Sequence, residues 1–566
     1  MRRAALLILI VTGLIAFEAP SKQRAVRPGG GPTASYIDAE IFARLAANGI
    51  AAAPLSGDEE FLRRVTLDLT GAIPTADEVT AFVADAATDK RAKKIDELLR
   101  SQAFTDRWTL WFGELVQNVQ VSTNSREYYL GRNAYYIWIR DSIASGKPYD
   151  QMVREVLAGE GSNFEVGVAN YVVRQLQPNG PPQDTFDNLA AHSTEKFLGL
   201  PTLCISCHDG LGHLELVNSY LREKDREDFW KMAAFFSRTT ARFERYTDPA
   251  NPNAFIGRFD VGNAPNGAYR LNTVDGNKSP RTPNTGDPNV VTPAFLTTGE
   301  QPKPGEKYRV AYGRMLTADR QFARATVNVL WKEMFGRAIV EPVNGFDLAK
   351  LSTQASHPAL LEALATDFVA RGYSLREMLR VIALSNAYQL SSKYTGTHPD
   401  ESYFARRQPR RLHAEVLADA IGTATNQRYQ FNVPGIGILT KGIQLPDPTE
   451  SRRSGAGMLM NTCGRGDRDD NPRSNDSAIA QALSFMNDRV VTDRVRRSPT
   501  STVQLTLNAT QDRGAIVERL YLATLSRRPT ADEKRIAVDY LNAGNLGERA
   551  EDLQYVLINS LEFLFV

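Results

Sequence analysis

The chain holds 566 residues, with 67 Lys plus Arg against 65 Asp plus Glu and a formal net charge of +2, so no overall field exists to recruit nucleic acid or an anionic membrane. At about 150 residues per domain this is length for roughly three or four compact units, and 42% hydrophobic with 23% charged residues is a globular composition. Three cysteines exclude a disulfide framework.

The chain opens Met1-Arg2-Arg3 and continues with an apolar stretch from Ala4 to Phe17, the length of a secretory signal and short for a membrane span. Residues 1–19 therefore read as a signal peptide. Phe17 and Pro20 make a poor cleavage site, so an uncleaved membrane anchor is the alternative. The Pro/Gly-rich residues 20–35 read as a flexible linker, and the body is expected to be exported, periplasmic or otherwise extracytoplasmic.

From 36 to 238 apolar residues recur at helical spacing, as in Phe61-Leu62, Val65, Leu69 and Trp108, Trp111-Phe112, Leu115, which predicts a helical module. Residues 239–310 turn to Asn, Pro, Gly and Thr and read as an insertion holding at most short β pieces such as Ala268 to Leu271. Helical periodicity returns with Phe322, Val327, Leu330-Trp331 and Phe335, predicting a second helical module over 311–566. The expected fold is mostly α: two helical modules joined by a Pro/Asn/Gly-rich insertion with a little β. Arg64 to Leu69 before Pro74-Thr75-Ala76-Asp77-Glu78 is echoed by Arg519 to Leu522 before Pro529-Thr530-Ala531-Asp532-Glu533. In each copy a Thr three residues before a Glu predicts a capping box, which assigns these carboxylates to helix starts rather than to catalysis.

The residues that carry chemistry are Cys204-Ile205-Ser206-Cys207-His208. Two thiols one turn apart can meet the two vinyl groups at one haem edge, and the adjacent imidazole comes under the iron, so the pattern predicts one covalently attached haem c with Cys204, Cys207 and His208 as its residues. Attachment occurs on exported chains, in keeping with the N-terminus. Two other readings stay open: a small Cys204 to Cys207 disulfide, and a tetrahedral zinc set of Cys204, Cys207, His208 and His213. For a haem the sixth position decides between electron transfer and ligand chemistry. His213 is only five residues from His208 and would have to round the macrocycle edge; His192 and Met232 are freer to do so, although a Met beside Trp230 and Phe229 is more often core.

Phe61 to Gly71 with Pro74-Thr75, Gly146-Lys147-Pro148-Tyr149-Asp150, and Phe197-Leu198-Gly199-Leu200 leading into the Cys-x-x-Cys-His resemble the planctomycete cytochrome-associated domain of unknown function, PSCyt. Phe322 to Asn328, Phe335-Gly336-Arg337, Ser356-His357-Pro358, Pro409-Arg410-Arg411-Leu412 and Ala480 to Leu483 resemble its companion, the PSD domain of unknown function. The resemblance covers nearly all of the chain after its N-terminal stretch and implies an exported bacterial protein; it implies no particular reaction. The family pattern has a second His within two residues of the Cys-x-x-Cys-His, where this chain has Asp209-Gly210-Leu211-Gly212-His213. The resemblance therefore carries over Cys204, Cys207 and His208 alone.

Cys463 reads as a buried thiol, with approach to the Cys204 region as the alternative. The acidic run Asp467, Asp469, Asp470, Asn471, Asn475, Asp476 fails the calcium-loop pattern, because Pro472 replaces the loop Gly and Ala478 the bidentate Glu. His357 and His413 read as surface or cap residues at helix starts. No serine-hydrolase, zincin or P-loop motif is present. The function expected is therefore single-haem electron transfer or redox chemistry with a redox partner protein and no nucleic acid. The competing class is a non-enzymatic exported binding or scaffold protein held by a zinc or disulfide clasp.

Overall fold

The computed structural model describes residues 35–566 apart from 121–127, 178, 277, 284–285, 287, 452–453, 469–472 and 475–488. The described residues are mostly helical, with one three-stranded and two two-stranded antiparallel sheets. Residues 1–19, with the expected signal, and nearly all of the 20–35 linker lie outside the described residues. Among those described, no helix is long and apolar enough to cross a membrane.

The helix Asp58–Thr70 shows how the sequence builds this fold. Three acidic residues in its first turn suit the positive end of the helix dipole, and Gly71 ends it at φ +63°, donating its N–H to the Leu67 carbonyl. Phe61, Leu62, Val65 and Leu69 enter one hydrophobic core, while Leu67 points into a second. The aromatic-rich helix Gln102–Leu115, capped by Ser101, packs beside it with Trp108 fully buried and its indole N–H on the Leu69 carbonyl at 3.1 Å. Both expected capping boxes form, at Thr75 with Glu78 and at Thr530 with Glu533. The echoed segments also touch: Arg519 pairs with Asp77, and Arg528 with Glu59 at 3.5 Å.

The hydrophobic residues gather in two cores, neither confined to one module. The first core joins helices before residue 240 to those between 308 and 405, as in the stack of Tyr149 on Phe322 with centroids 5.5 Å apart. The second collects residues 412–563 with Leu67, Ile73 and Leu110 from the N-terminal module. The insertion holds more β structure than its composition suggests. Thr239–Asp248 and Asn251–Asn263 form a long antiparallel hairpin, with Gly161–Ser162 added at its other edge. The reason is local: Thr, Phe, Tyr, Ile and Val recur through Thr239 to Val261, and that β-favouring pattern outweighs the Pro and Asn, which collect at the turn.

Polar residues of Asp58–Thr70 lock the modules together. Arg63 donates to the carbonyls of Thr524 and Phe563 at 3.4 and 3.2 Å, and Arg64 to those of Tyr388 and Leu390 at 2.8 Å each. Asp68, fully buried, accepts from Tyr388 at 2.8 Å and pairs with Arg407 and Arg410. The two resemblance motifs thus meet in one buried charge cluster.

Candidate functional site

Helix Pro182–Ser193 runs on through a wider turn, Thr194–Leu198, and stops at Gly199 with φ +65°. Only glycine fits there, because a Cβ would lie 2.6 Å from the Phe346 ring and 2.8 Å from the Val343 carbonyl. Phe346 donates its N–H back to Gly199 at 2.9 Å, and its carbonyl accepts from Asn218 at 2.9 Å. The Asp347 carboxylate takes the N–H groups of Ser219 and Tyr220 at 2.7 and 2.9 Å. Both arms of the cysteine segment are therefore buttressed by residues 343–347 of the second module.

Cys204–Ser206 is a single tight helical turn, continued by bonds from the N–H groups of Cys207 and His208 to the Cys204 carbonyl. Ile205 anchors it in the core at 0% exposure, which turns Cys204 to the surface and leaves Cys207 and His208 half-buried. His208 donates Nδ1–H to the Asp209 carbonyl at 2.8 Å, so Nε2 carries the lone pair that a metal would take. Four aliphatic side chains stand exposed around the turn: Leu203, Leu211, Leu216 and Val217, at 48, 65, 101 and 73%.

The insertion folds back onto this turn. Arg226, stacked 4.8 Å from the Trp230 ring, donates to the carbonyls of Ser279 and Pro280 at 3.0 and 2.9 Å, and its N–H reaches the Asp209 carboxylate at 3.0 Å. Burial pushes the Cys207 thiol up, but the Ser206 hydroxyl, Ser279 and the Lys278 charge together hold it below the usual thiol range. Two residues further on, Arg281 is fully buried between Asp184 and Asp187, with Asp187 2.7 Å away and Tyr269 donating to the same carboxyl at 2.8 Å. Burial raises Asp187 above the ordinary carboxylate range in spite of Arg281. Sequence reasoning missed this clamp and Arg226. Its only sequence trace is Asp184 and Asp187 three apart on one helix face, opposite a lone Arg in a loop-like run.

The other expected residues are placed as follows. His213 lies with its ring centroid 4.3 Å from that of His208. Met232 is core, 1% exposed, its sulfur accepting the Leu296 N–H at 3.0 Å. His192 bonds the Tyr171 hydroxyl through Nδ1 at 3.1 Å, and burial drives its pKa well below the usual value. Among the described residues no three His, Cys, Asp or Glu side chains are arranged to hold a metal ion; Cys204 and His213 are exposed, and Cys207 and His208 half-buried. Cys463 is buried in the second core, as a buried thiol rather than a partner of Cys204. Asp469, Asp470, Asn471, Asn475 and Asp476 lie outside the described residues. His357 and His413 do stand at helix starts, but neither side chain caps. His357 is not a surface residue: it is 4% exposed, and burial together with Arg44 pushes its pKa down to about 4. His413 is half-buried, and burial with the Arg473, Arg107 and Arg410 charges holds its pKa well below normal.

The geometry defines a mostly helical protein of two interlocked modules with a surface-facing Cys-x-x-Cys-His turn braced by both. Residues 36–241 match PSCyt2, described as a protein of unknown function (DUF1549), and residues 309–541 match PSD1, a protein of unknown function (DUF1553). The chain carries a PSCyt2 domain followed by a PSD1 domain. No curated protein and no solved structure matches it.

Proposed function

We propose that this chain is an exported c-type cytochrome-like protein with one haem, attached through Cys204 and Cys207, with His208 as proximal ligand, serving electron transfer or redox chemistry with a partner protein. The observation that carries the reading is the state of the Cys204–His208 turn: two unbridged thiols one turn apart and an imidazole whose Nδ1 is committed to the Asp209 carbonyl, leaving Nε2 as the ligand atom. The donor set fits the group, and the exposed Leu203, Leu211, Leu216 and Val217 supply an apolar surface for a macrocycle. A bound haem supplies a one-electron iron couple. The chain's own part is to carry the His208 ring and the Cys204 and Cys207 thiols on one tight turn anchored by the buried Ile205, and to keep that turn fixed with Arg226 and residues 278–281. The apolar run Ala4 to Phe17 supports export, and its retention would anchor the protein to a membrane.

The test is a pyridine haemochrome spectrum of the full chain, expressed in a periplasm with haem-attachment machinery and extracted with acid acetone. A retained c-type band that is lost in Cys204→Ala/Cys207→Ala supports the proposal. A colourless product, alongside a coloured control cytochrome, overturns it and leaves the binding or scaffold reading.

A further inference from the structure

We infer that the free edge of the strand Thr239–Asp248 is the face on which two copies of this chain associate, their strands running antiparallel across a two-fold axis at Phe243; the inference is independent of the haem reading. The strand lies at the outside of its sheet and is paired only with Asn251–Asn263. Its outward residues follow from the bonding of Phe259, which stands opposite Phe243. The Phe259 carbonyl accepts from the Asn163 N–H at 2.9 Å, and its own N–H donates to the Asn163 side-chain oxygen at 2.8 Å, so both groups point away from Thr239–Asp248. Opposite residues in an antiparallel ladder alternate between bonded and non-bonded pairs. Phe243 and Phe259 are therefore a non-bonded pair, and the N–H and C=O of Phe243 face out of the sheet. The same alternation turns out those of Thr239, Ala241, Arg245 and Thr247, and among the described residues no other segment bonds to them. Native sheets protect such an edge with Lys, Pro or a bulge. Residues 239–248 hold neither Lys nor Pro, and the one register shift lies at the far end, between Thr247 and Asp248.

Charge selects a second copy of the strand as the occupant and fixes its register. Outward residues must face outward residues, so the axis lies at a residue and not between two. Placed at Arg242, Glu244 or Arg245 it would set like charges directly opposite each other, which destabilises a sheet, and an axis nearer either end pairs fewer residues. At Phe243 it sets Phe243 against its own copy, Ala241 against Arg245 and Thr239 against Thr247, and it brings each Arg242 opposite Glu244 of the other copy. Within one copy Arg242 already stands 3.6 Å from Asp260, and Glu244 is paired with Arg258. The dimer thus carries Asp260, Arg242, Glu244 and Arg258 across four strands with alternating sign. On the opposite face Phe243, 58% exposed and in edge contact with Phe259 at 5.5 Å, is covered by its symmetry mate.

The experiment follows the mass of the full-length protein by sedimentation equilibrium from micromolar to sub-millimolar concentration. The native chain should reach a dimer and stop there, because the two-fold uses up the edge. Arg242→Glu and Glu244→Arg should each weaken association roughly tenfold or more, since each sets like charges across the axis, with far-ultraviolet circular dichroism unchanged. An equimolar mixture of the two variants should recover native association, because the mixed dimer again sets opposite charges face to face. Ala241→Pro, which removes an outward donor and no bond within the hairpin, should weaken the dimer as well. A native chain that stays monomeric overturns the inference and leaves the edge to an extended segment of a different protein. A dimer indifferent to these substitutions overturns it too, as does a loss that the mixture fails to restore, since the register is then not the one centred on Phe243.

Discussion

Tyr388 donates its hydroxyl to Asp68 at 2.8 Å across 320 residues of chain, and the same carboxylate is paired with Arg407 and Arg410. The acidic residue of the N-terminal motif Arg63 to Leu69 is therefore neutralised by the second module. Burying a carboxylate is costly unless it is paired and hydrogen-bonded, and here the pairing is supplied entirely from residues 388–410. The two domains therefore share one buried charge cluster.

Asp68→Asn removes the charge that Arg407 and Arg410 share, and breaking a buried pair from one side costs about 3–5 kcal/mol. Chemical denaturation at pH 7 should show a loss of this size. Burial pushes the Asp68 carboxyl up, but the Arg407 and Arg410 charges and the Tyr388 hydrogen bond outweigh it and hold it below the usual carboxylate range. Its stabilisation is therefore complete above the unfolded value of about 3.9 and is lost as pH falls through the lower folded value. The native chain should lose this increment on acidification below about pH 4, and Asp68→Asn should not. An unchanged midpoint in the variant would show that the pair contributes nothing.

His357 makes a pH prediction of its own. Its folded pKa of about 4 lies below the unfolded value of about 6.5, so the unfolded state binds more protons between these limits and stability rises with pH across them. Above pH 6.5 the contribution is complete; by pH 4 it has cost about 3 kcal/mol. His192 and His413 act in the same direction. Denaturation series at pH 7, 5.5 and 4.5 should show a shallower pH slope for His357→Gln than for the native chain, whatever the variant's absolute stability at pH 7. Equal slopes would count against a neutral, buried imidazole.

Arg281→Met leaves Asp184 and Asp187 buried without their cation, a loss of about 3–5 kcal/mol. Residues 278–280 are tethered by this clamp and by Arg226, so they should lift from the cysteine turn. Alkylation of Cys207 in the protein without haem, followed by peptide mass spectrometry, should speed up at least several-fold. Alkylation of Cys204, already exposed, should change little. Equal acceleration at both thiols would mean general unfolding rather than release of the strap.

If the proposed haem reading holds, His208→Gly removes the proposed proximal ring while leaving both thiols for attachment. The haem-loaded variant should retain covalent haem but lose the native Soret position, and millimolar imidazole should restore it by filling the space the ring has left. Failure of imidazole to change the spectrum would argue against His208 as the axial ligand.

Much of this architecture was readable from residue order alone. The helical periods, the two capping boxes and the tandem PSCyt and PSD domains depend on neighbours within one or two turns, and such signals survive in a single sequence. The long hairpin was partly hidden, because the Pro and Asn at its turn masked the recurring Thr, Phe, Tyr and Val on either side. Cys204, Cys207 and His208 stood out for the same local reason: the Cys-x-x-Cys-His pattern is contiguous in the chain.

What the linear order did not disclose are the relations that join distant segments. Asp68 with Tyr388, Arg281 with Asp187, and residues 343–347 under the cysteine turn are pairings between groups that have no reason to be near one another until the cores close. His357 reads as polar in the sequence and is buried in the fold, because helix packing overrules a lone polar residue when most of its neighbours are apolar. The sequence by itself determined the helical modules and the presence of the Cys-x-x-Cys-His motif. Only the tertiary structure decided that the modules share one charge cluster and that His213 lies beside His208, since burial and long-range pairing are set by the closed chain and not by spacing along it.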